Sequence, residues 1–158
     1  MKVMVGGTFD PLHDGHKKLL ERSFDIAGEK GYVRVGLSGD LFANRKTHPI
    51  RPFLERKKDL VQYLNSKNHI VKWDIEELKD RFGSTLDTDF DAIVVSEDTF
   101  PTAVEINKLR KEMGKKKVDI HQITCVLAED GRWISSTRIW KGEIDVHGGL
   151  ISKDSKGK

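Results

Sequence analysis

Short apolar runs that alternate with helix-like segments constrain this chain more strongly than any other feature. The runs have the length and composition of buried parallel strands, and they lie at 1–6, 32–39, 69–75, 90–96 and 118–128. Segments with helical spacing of apolar residues lie at 17–28, 52–66, 102–114 and 134–144. Strands separated by helices predict an α/β fold: a single doubly wound, Rossmann-like domain over residues 1–150, with a five-stranded, mostly parallel sheet.

Composition and charge narrow the class of protein. The chain has 158 residues, of which 37% are apolar and 34% charged, as is usual for a soluble globular domain. Its net charge is +3, and three lysines against one aspartate place +2 of that charge in residues 151–158. The remaining +1 does not indicate a nucleic-acid-binding surface. We expect residues 151–158 to form a disordered basic tail.

The apolar content also bears on location and redox chemistry. Cys125 is the single cysteine, so an internal disulfide or a multi-cysteine metal site is excluded. Its apolar neighbours predict a buried structural thiol rather than a nucleophile. No apolar run approaches the roughly 20 residues that cross a membrane, and the first run is too short for the core of a signal peptide. We expect a soluble, cytoplasmic protein with no membrane contact.

Polar segments follow three of the predicted strands, at 6–16, 36–46 and 96–99, and the first two contain glycines. In open parallel sheets, ligands bind beyond the carboxyl ends of the strands, where the strand order reverses. These segments should therefore meet at one edge of the sheet. The segment ISSTR, residues 134–138, opens a predicted helix and could join them.

The segment 6–16, GGTFDPLHDGH, combines glycines, a threonine and two histidines at one strand-to-helix corner. Glycines allow a close approach of the backbone, and a helix N-terminus favours anions. His13 and His16 are three residues apart, face the same way and can donate hydrogen bonds to phosphate. The residues alone leave three possibilities open: a phosphate site, a pair of satisfied surface histidines, or a zinc pair without an obvious third ligand. Neither a P-loop nor a G-x-G-x-x-G motif is present.

GTFDPLHDGH and ISSTR occur together at opposite ends of this one small domain. The pair resembles the nucleotidyltransferase superfamily, which carries an H-x-G-H signature after its first strand and an ISSTR-like signature late in the chain. Further segments are similar to the archaeal type of phosphopantetheine adenylyltransferase and to the matching domain of eukaryotic coenzyme A synthase. These segments are GLSGDLFANRK, IRPFLERKKDL, AIVVSEDTFPTAVEINKLR and AEDGRWISSTRIWKGEID. The resemblance spans about residues 2–148.

This resemblance implies an activity. The family transfers AMP from ATP to 4'-phosphopantetheine and releases dephospho-coenzyme A and pyrophosphate, the penultimate step of coenzyme A biosynthesis, with Mg²⁺ as cofactor. An anionic phosphate can attack the α-phosphate of ATP directly, so the reaction needs in-line positioning and neutralisation of charge. ATP and 4'-phosphopantetheine are the implied partners. The metal is expected on the ATP phosphates, and no protein ligand is implied for it.

The resemblance also implies catalytic roles. His16 would hydrogen-bond the α-phosphate in the transition state, and His13 would assist near the triphosphate. Lys46 would bridge the two phosphate groups, although Arg45 beside it could take that role. Because bacterial members commonly carry threonine at the position of His13, His16 is the more secure of the two histidines.

Binding roles follow in the same way. Thr8 would orient the attacking phosphate, and Gly15 would leave room for the adenosine. The backbone near Gly7 and Phe9 would contact ATP. The β- and γ-phosphates would be held by Ser135, Ser136 and Thr137.

One departure from the bacterial pattern affects the predicted binding residues. Bacterial members carry an arginine-containing stretch after the fourth strand, where this chain reads VVSEDTF. Arg110 and Arg138 are therefore candidates for the missing phosphate or adenine contacts, and Arg110 could equally lie on a solvated helix face. The adenine and pantetheine sites should meet at Ser96, Glu97 and Thr99.

Two rival functions stay open. One is another transferase of the same superfamily, acting on nicotinamide mononucleotide, on glycerol phosphate with CTP, or on flavin mononucleotide. The other is a nucleotide-binding regulatory module that has lost turnover. The AEDG, ISSTR and RPFLER segments favour phosphopantetheine, and the presence of His16, Lys46 and the 135–138 cluster together argues against the module.

Overall fold

The central sheet of the computed structural model, which describes residues 1–43 and 48–151, has five strands in the order β3-β2-β1-β4-β5. The strands are β1 (Lys2–Gly7), β2 (Tyr32–Ser38), β3 (Lys72–Leu78), β4 (Ala92–Val95) and β5 (Asp119–Gln122). All four pairings between them are parallel. The predicted α/β fold with a five-stranded parallel sheet is confirmed. Lys46 and residues 152–158 of the predicted tail lie outside the described residues.

Helices separate the strands along the chain except for β3 and β4, which follow each other directly. The helices are α1 (Asp14–Ala27), α2 (Asp40–Ala43), α3 (Phe53–Ser66), α4 (Phe100–Glu112) and α5 (Ser136–Trp140). Pro52 immediately precedes α3, where its missing N–H costs no helical hydrogen bond. Ser135 caps α5 with its side chain, as its residue type predicts.

Alternating side chains of the strands divide the core between the two faces of the sheet. Val3 and Val5 of β1 lie in one buried cluster with residues of α1 and α3. Met4 lies in a second cluster with Ala103 and Ile106 of α4. The chain thus covers one face before β4 and the other face after it, so the topological switch point falls between β1 and β4.

Several elements differ from the sequence-based expectation, among them the short helix α2, which was not expected, and α5, which is shorter than the expected segment 134–144. α1 begins at Asp14 instead of residue 17, because His13 caps it. β3 begins and ends three residues later than expected, and its last residues include glutamates that an apolar pattern does not reveal. β5 ends at Gln122, and the apolar residues after it leave the sheet.

Two of those residues, Val126 and Ala128, belong to a small separate cluster in the C-terminal segment. Ala128, Ile134 and Ile144 are buried together there. The chain then returns to the start of α1, where the Asp14 amide donates to the Val146 carbonyl at 3.0 Å. Cys125, which precedes this cluster, is half-buried, so the expectation of a fully buried thiol is wrong.

Candidate active site

The carboxyl ends of β1 and β2 are joined by a chain of hydroxyl groups. The Thr8 hydroxyl donates to the Ser38 hydroxyl at 3.4 Å, and the Ser38 hydroxyl donates to the Gly7 carbonyl at 3.3 Å. Gly7, Thr8, Ser38 and Thr99 line one cavity. The prediction that the loops after β1, β2 and β4 meet at one edge of the sheet is confirmed.

Two stacked imidazoles occupy the start of α1. Nδ1 of His13 accepts the backbone N–H groups of Gly15 at 3.1 Å and of His16 at 3.3 Å. Nδ1 of His16 accepts the His13 backbone N–H at 3.3 Å, so the two residues cap the helix reciprocally. The ring centroids are 3.7 Å apart and the planes are inclined by 15°. Since each Nδ1 is an acceptor, each ring carries its hydrogen on Nε2.

Burial sets the protonation state of the inner histidine. His13 is 6% exposed, and its burial lowers its pKa to about 4 although the charge of Asp14 opposes the shift. At neutral pH this imidazole is therefore uncharged. It can still donate one hydrogen bond from Nε2, which is what recognition of a phosphate oxygen requires.

Gly15 is required by the histidine beside it. A Cβ on Gly15 would lie 2.9 Å from Cε1 and 3.0 Å from Nδ1 of His13. The structure thus shows that Gly15 leaves room for an imidazole. The adenosine contact implied by the resemblance stays a prediction.

Phe9 shapes the turn that precedes the histidines. Its φ is 50°, in a region that residues other than glycine rarely adopt and that costs about 1–3 kcal/mol. Its ring is 1% exposed and contacts His16 edge-on, with the ring centroids 4.9 Å apart. A Cβ on Gly7 would lie 3.3 Å from this ring. A glycine at position 7 therefore lets the ring pack against the backbone.

The ISSTR segment forms the start of α5. Ser135 accepts the Arg138 backbone N–H at 3.2 Å, and Ser136 and Thr137 occupy the first turn. Trp140, at the end of this helix, stacks on His48 with the ring centroids 5.8 Å apart. The segment after α5 reaches the start of α1, since His147 pairs with Asp14 at 2.9 Å.

The guanidinium of Arg138 is bonded to groups of the protein itself. It forms ion pairs with Asp130 and Glu143 and donates to the Trp133 carbonyl at 3.0 Å. These bonds, together with those of Arg132, lower the pKa of Asp130 to about 2. In the structure, Arg138 therefore stabilises the loop before α5, which differs from the expected phosphate contact.

The expectation for Arg110 is wrong in both of its forms. Its side chain is 1% exposed, so it neither contacts a nucleotide nor lies on a solvated face. The guanidinium donates to the carbonyls of Lys116 at 2.8 Å, Thr85 at 2.8 Å and Thr88 at 3.0 Å. Arg110 lies on the same helical face as Ile106, four residues earlier, where it bonds carbonyls of the neighbouring loops.

The turn after β4 contains the other three predicted binding residues. The Thr99 hydroxyl accepts the Ser96 backbone N–H at 3.1 Å, which shapes the turn before α4. Thr99 also lines the cavity, whereas Glu97 is exposed. The structure thus places Thr99 at the site, with Ser96 supporting it.

A cavity of about 350 Å³ opens beside Thr8 on the α4 face of the sheet. Its walls come from the ends of β1, β2, β3 and β4, the start of α4, and the loop that contains Arg81, Phe82 and Thr85. Gly6 and Gly36 are paired in register, and their missing side chains leave room for Leu78, which lies 2.9 Å from the position of a Gly36 Cβ and also lines the cavity. Its mixed lining and its position fit a small organic ligand.

Sequence reasoning missed the charged side chains of this cavity. Arg34 pairs with Asp74 through two hydrogen bonds of 3.0 Å and donates to the Ser84 hydroxyl at 3.3 Å. That hydroxyl in turn donates to Glu76 at 2.8 Å. The available signal was Arg34 itself, a charged residue inside an apolar strand.

The described residues, 1–43 and 48–151, contain neither a membrane-spanning helix nor a metal-binding group of three or more side chains. No helix in these ranges is long and apolar enough to cross a membrane. The same ranges contain no group of three or more His, Cys, Asp or Glu side chains that could hold a metal ion.

The fold and the family match are those of a nucleotidyltransferase. Residues 4–142 match the cytidylyltransferase-like family. A nicotinic acid mononucleotide adenylyltransferase from Plasmodium falciparum, solved with NaAD, superposes with a TM-score of 0.58 over 99% of this chain and 88% of that one. At 16% identity this likeness shows the Rossmann-like fold alone.

Sequence relatives define the family more narrowly. A phosphopantetheine adenylyltransferase from Methanosarcina barkeri is 46% identical over 94% of this chain and 92% of its own length. One from Archaeoglobus fulgidus is 40% identical over 96% of this chain and 100% of its own length. The chain belongs to the phosphopantetheine adenylyltransferase family. A solved protein of unknown function from Archaeoglobus fulgidus is also similar, with a TM-score of 0.71, 30% identity and coverage of 96% of this chain and 100% of that one.

Proposed function

We propose that this protein transfers AMP from ATP to 4'-phosphopantetheine, a step of coenzyme A biosynthesis. The observation that carries the proposal is the capped histidine pair at the switch point of the sheet. Both rings keep Nε2 as their donor there, and Thr8, in the turn that precedes them, lines the cavity proposed for the acceptor. The family membership supports the choice of substrates.

The reaction is a direct, in-line displacement. An oxygen of the acceptor phosphate attacks the α-phosphorus of ATP, and a new P–O–P bond forms. The bond from that phosphorus to the oxygen bridging the α- and β-phosphates breaks, and pyrophosphate leaves with the electron pair. No proton has to be removed from the nucleophile, because the phosphate is already anionic, so positioning and charge stabilisation supply the catalysis.

The histidines act as hydrogen-bond donors in this proposal. His16 donates from Nε2 to an α-phosphate oxygen, whose negative charge grows as the pentavalent transition state forms. His13, held neutral by its burial, donates to the triphosphate and keeps His16 in place by stacking on it. Thr8 orients the attacking phosphate between this corner and the cavity.

The cavity receives the pantetheine arm. Its apolar lining suits the dimethyl and methylene groups of such an arm, while Thr99 and Thr102 offer hydroxyl partners for its amides. The arm then points away from the histidines with its phosphate at Thr8.

Further contacts complete the proposed site. Lys46 bridges the acceptor phosphate and the triphosphate, and Ser135, Ser136 and Thr137 hold the β- and γ-phosphates. Mg²⁺ supplies charge neutralisation as a complex with the ATP phosphates, which its preference for phosphate oxygen and water predicts, and we assign no protein ligand to it. A cytoplasmic location stays a prediction of the sequence.

Pyrophosphate release tests the proposal. The purified protein is incubated with ATP and Mg²⁺, with 4'-phosphopantetheine in one reaction and nicotinamide mononucleotide in a parallel one. We expect turnover with 4'-phosphopantetheine only. Turnover with nicotinamide mononucleotide only would replace the acceptor, and ATP binding without turnover in either reaction would favour a regulatory module.

A His16→Ala variant tests the assigned chemistry. Because the Nε2 bond strengthens mainly in the transition state, we expect kcat to fall by about two to three orders of magnitude and KM to change by less than about fivefold. His69→Ala is the matched control, because this histidine also stacks on an aromatic ring but contacts Phe24 and Glu21 in the second half of α1. Equal losses in both variants would contradict the role of His16.

A further inference from the structure

The turn between β1 and α1 keeps an unfavourable backbone conformation. Phe9 has a φ of 50°, and its buried ring is fixed between Gly7 and His16. A residue other than glycine persists in this region only where its surroundings hold it there. Thr8 and His16 lie on either side of this residue, so their relative position depends on whatever holds it.

Arginines from the start of α3 hold both neighbours of Phe9. On one side, Nη1 of Arg56 donates to the Thr8 carbonyl at 3.2 Å. On the other side, the Asp10 carboxylate accepts the side chain of Arg51 at 2.6 Å and its backbone N–H at 2.8 Å. Arg56 in the first turn of α3 and Arg51, two residues before that helix, thus hold the strained residue from both directions.

The other nitrogens of the Arg56 guanidinium are bonded as well. Nε donates to the Arg51 carbonyl at 2.7 Å, and Nη2 donates to the Asp40 carboxylate at 3.2 Å. Asp40 also accepts the Phe53 backbone N–H at 2.8 Å. One planar group therefore joins the end of β1, the start of α2 and the start of α3 in fixed geometry.

Stability alone does not explain an arginine at this position. Arg56 is 0% exposed, and a guanidinium stays charged when it is buried. A buried ion pair can often be replaced by apolar residues of similar volume with no loss of stability. The side chains around it on α3, such as Leu60 and Leu64, show that this helix packs with ordinary aliphatic residues.

We propose that Arg56 is a positioning residue for adenylyl transfer. By bonding the Thr8 carbonyl, it holds the turn in the conformation in which the Thr8 hydroxyl and the His16 imidazole can both donate hydrogen bonds to the reacting phosphates. Arg51 supports the same turn and neutralises Asp10, whose charge would otherwise repel an anionic substrate. This inference rests on the proposed function.

Arg110 is a matched control. It is buried to the same degree as Arg56, at 1% exposed, and also donates to backbone carbonyls. It lies on the opposite face of the sheet, in α4. The variants Arg56→Lys and Arg110→Lys each keep a positive charge and lose the planar fork.

The kinetic test compares kcat with ATP affinity. We expect Arg56→Lys to lower kcat for pyrophosphate release by about 10- to 100-fold with the Kd of ATP within about threefold, since the donors are misaligned and not removed. We expect Arg110→Lys to keep its kcat at saturating acceptor. Its effects are confined to stability and to the KM of the acceptor, because Thr85 lines the cavity. Equal kcat values in the two variants would overturn the proposal.

Hydrogen exchange tests the inference without relying on turnover. The backbone amides of Gly15, His16 and Lys17 all bond to His13, and they should exchange about tenfold faster in Arg56→Lys than in wild type, but not in Arg110→Lys. If wild type shows no turnover, the proposed function fails and the exchange rates alone decide this inference. If Arg56→Lys does not fold, Arg51→Gln replaces it, because that side chain is 41% exposed. Unchanged exchange at these amides would overturn the inference.

Discussion

A single methyl group at Gly15 should disable the catalytic corner. In Gly15→Ala, the new Cβ would lie 2.9 Å from Cε1 of His13, whereas ordinary contact begins at 3.4 Å. The imidazole must therefore retreat by about 0.5 Å, the difference between those two distances. It cannot rotate away cheaply, because it is buried and bonded to two backbone amides.

The substitution has two opposing effects on the free energy of unfolding. The bonds from the Gly15 and His16 amides, now 3.1 and 3.3 Å, would exceed hydrogen-bonding distance, and a lost N-cap costs about 0.5–2 kcal/mol. Alanine within a helix gains about 0.8–1.0 kcal/mol over glycine. The free energy of unfolding should therefore change by less than about 1 kcal/mol.

The activity should change far more than the stability. Because His13 stacks on His16, a shift of this size misplaces both donors. Misalignment on the ångström scale costs up to about 100-fold, so we expect kcat to fall by about 10- to 100-fold. Pyrophosphate release gives kcat and KM, and urea unfolding gives the stability of the same preparation.

A double-mutant cycle identifies what the methyl group displaces. His13→Asn keeps a capping side chain and removes the imidazole, so in that background Gly15→Ala should have little further effect. If the glycine instead leaves room for adenosine, the loss persists in that background and appears mainly in the KM of ATP. A kcat within about threefold of wild type, or an undiminished loss in the His13→Asn background, would refute the reasoning.

Three further predictions concern a titrating group, the cavity and the thiol. Burial lowers the pKa of His13 from 6.5 to about 4, so the unfolded chain binds more protons than the folded chain between these pH values. The contribution of His13 to the free energy of unfolding should therefore be fully present above about pH 6.5 and fall by roughly 3 kcal/mol as the pH drops to 4. Urea unfolding across this range should show that slope in wild type and its reduction in His13→Asn. Thr102→Phe fills part of the cavity and should raise the acceptor KM at least about tenfold without changing the Kd of ATP; an unchanged KM would place the acceptor elsewhere. Burial raises the pKa of the Cys125 thiol, so iodoacetamide at pH 7.5 should label the folded protein at least about tenfold more slowly than the protein in urea, and faster labelling would indicate a nucleophile.

The fold class could be predicted from periodicity because apolar patterning reports directly on burial. The ends of the strands were less predictable where buried residues lie outside a strand or polar residues lie inside one. Ile123 and Ala128 are buried although β5 ends before them, so their apolar character suggested a longer strand. β3 continues through Glu76 to Leu78. The Glu76 carboxylate accepts a hydrogen bond from the Ser84 hydroxyl in the loop after β3, and the alternation of apolar residues does not reveal that contact.

The candidate site was predictable in its outline and not in its contacts. The H-x-G-H and ISSTR signatures identified the corner and α5, because such motifs keep the residue types that the chemistry requires. Arg110 was misread because a charged residue in a helix is usually solvated, and only the fold supplies the carbonyls that it bonds. Imidazole is not a usual N-cap, so the start of α1 at Asp14 could not be read from residue types.

By itself, the sequence determined the parallel α/β architecture and the family, and it predicted a reactive corner at residues 6–16, since these depend on periodicity and on motifs that are local in the chain. Only the tertiary structure decided which groups surround that corner. Arg56 meets Thr8 across 48 residues, and Arg34 meets Ser84 across 50. Contacts over such separations depend on how the strands are ordered and paired, and no local pattern records them.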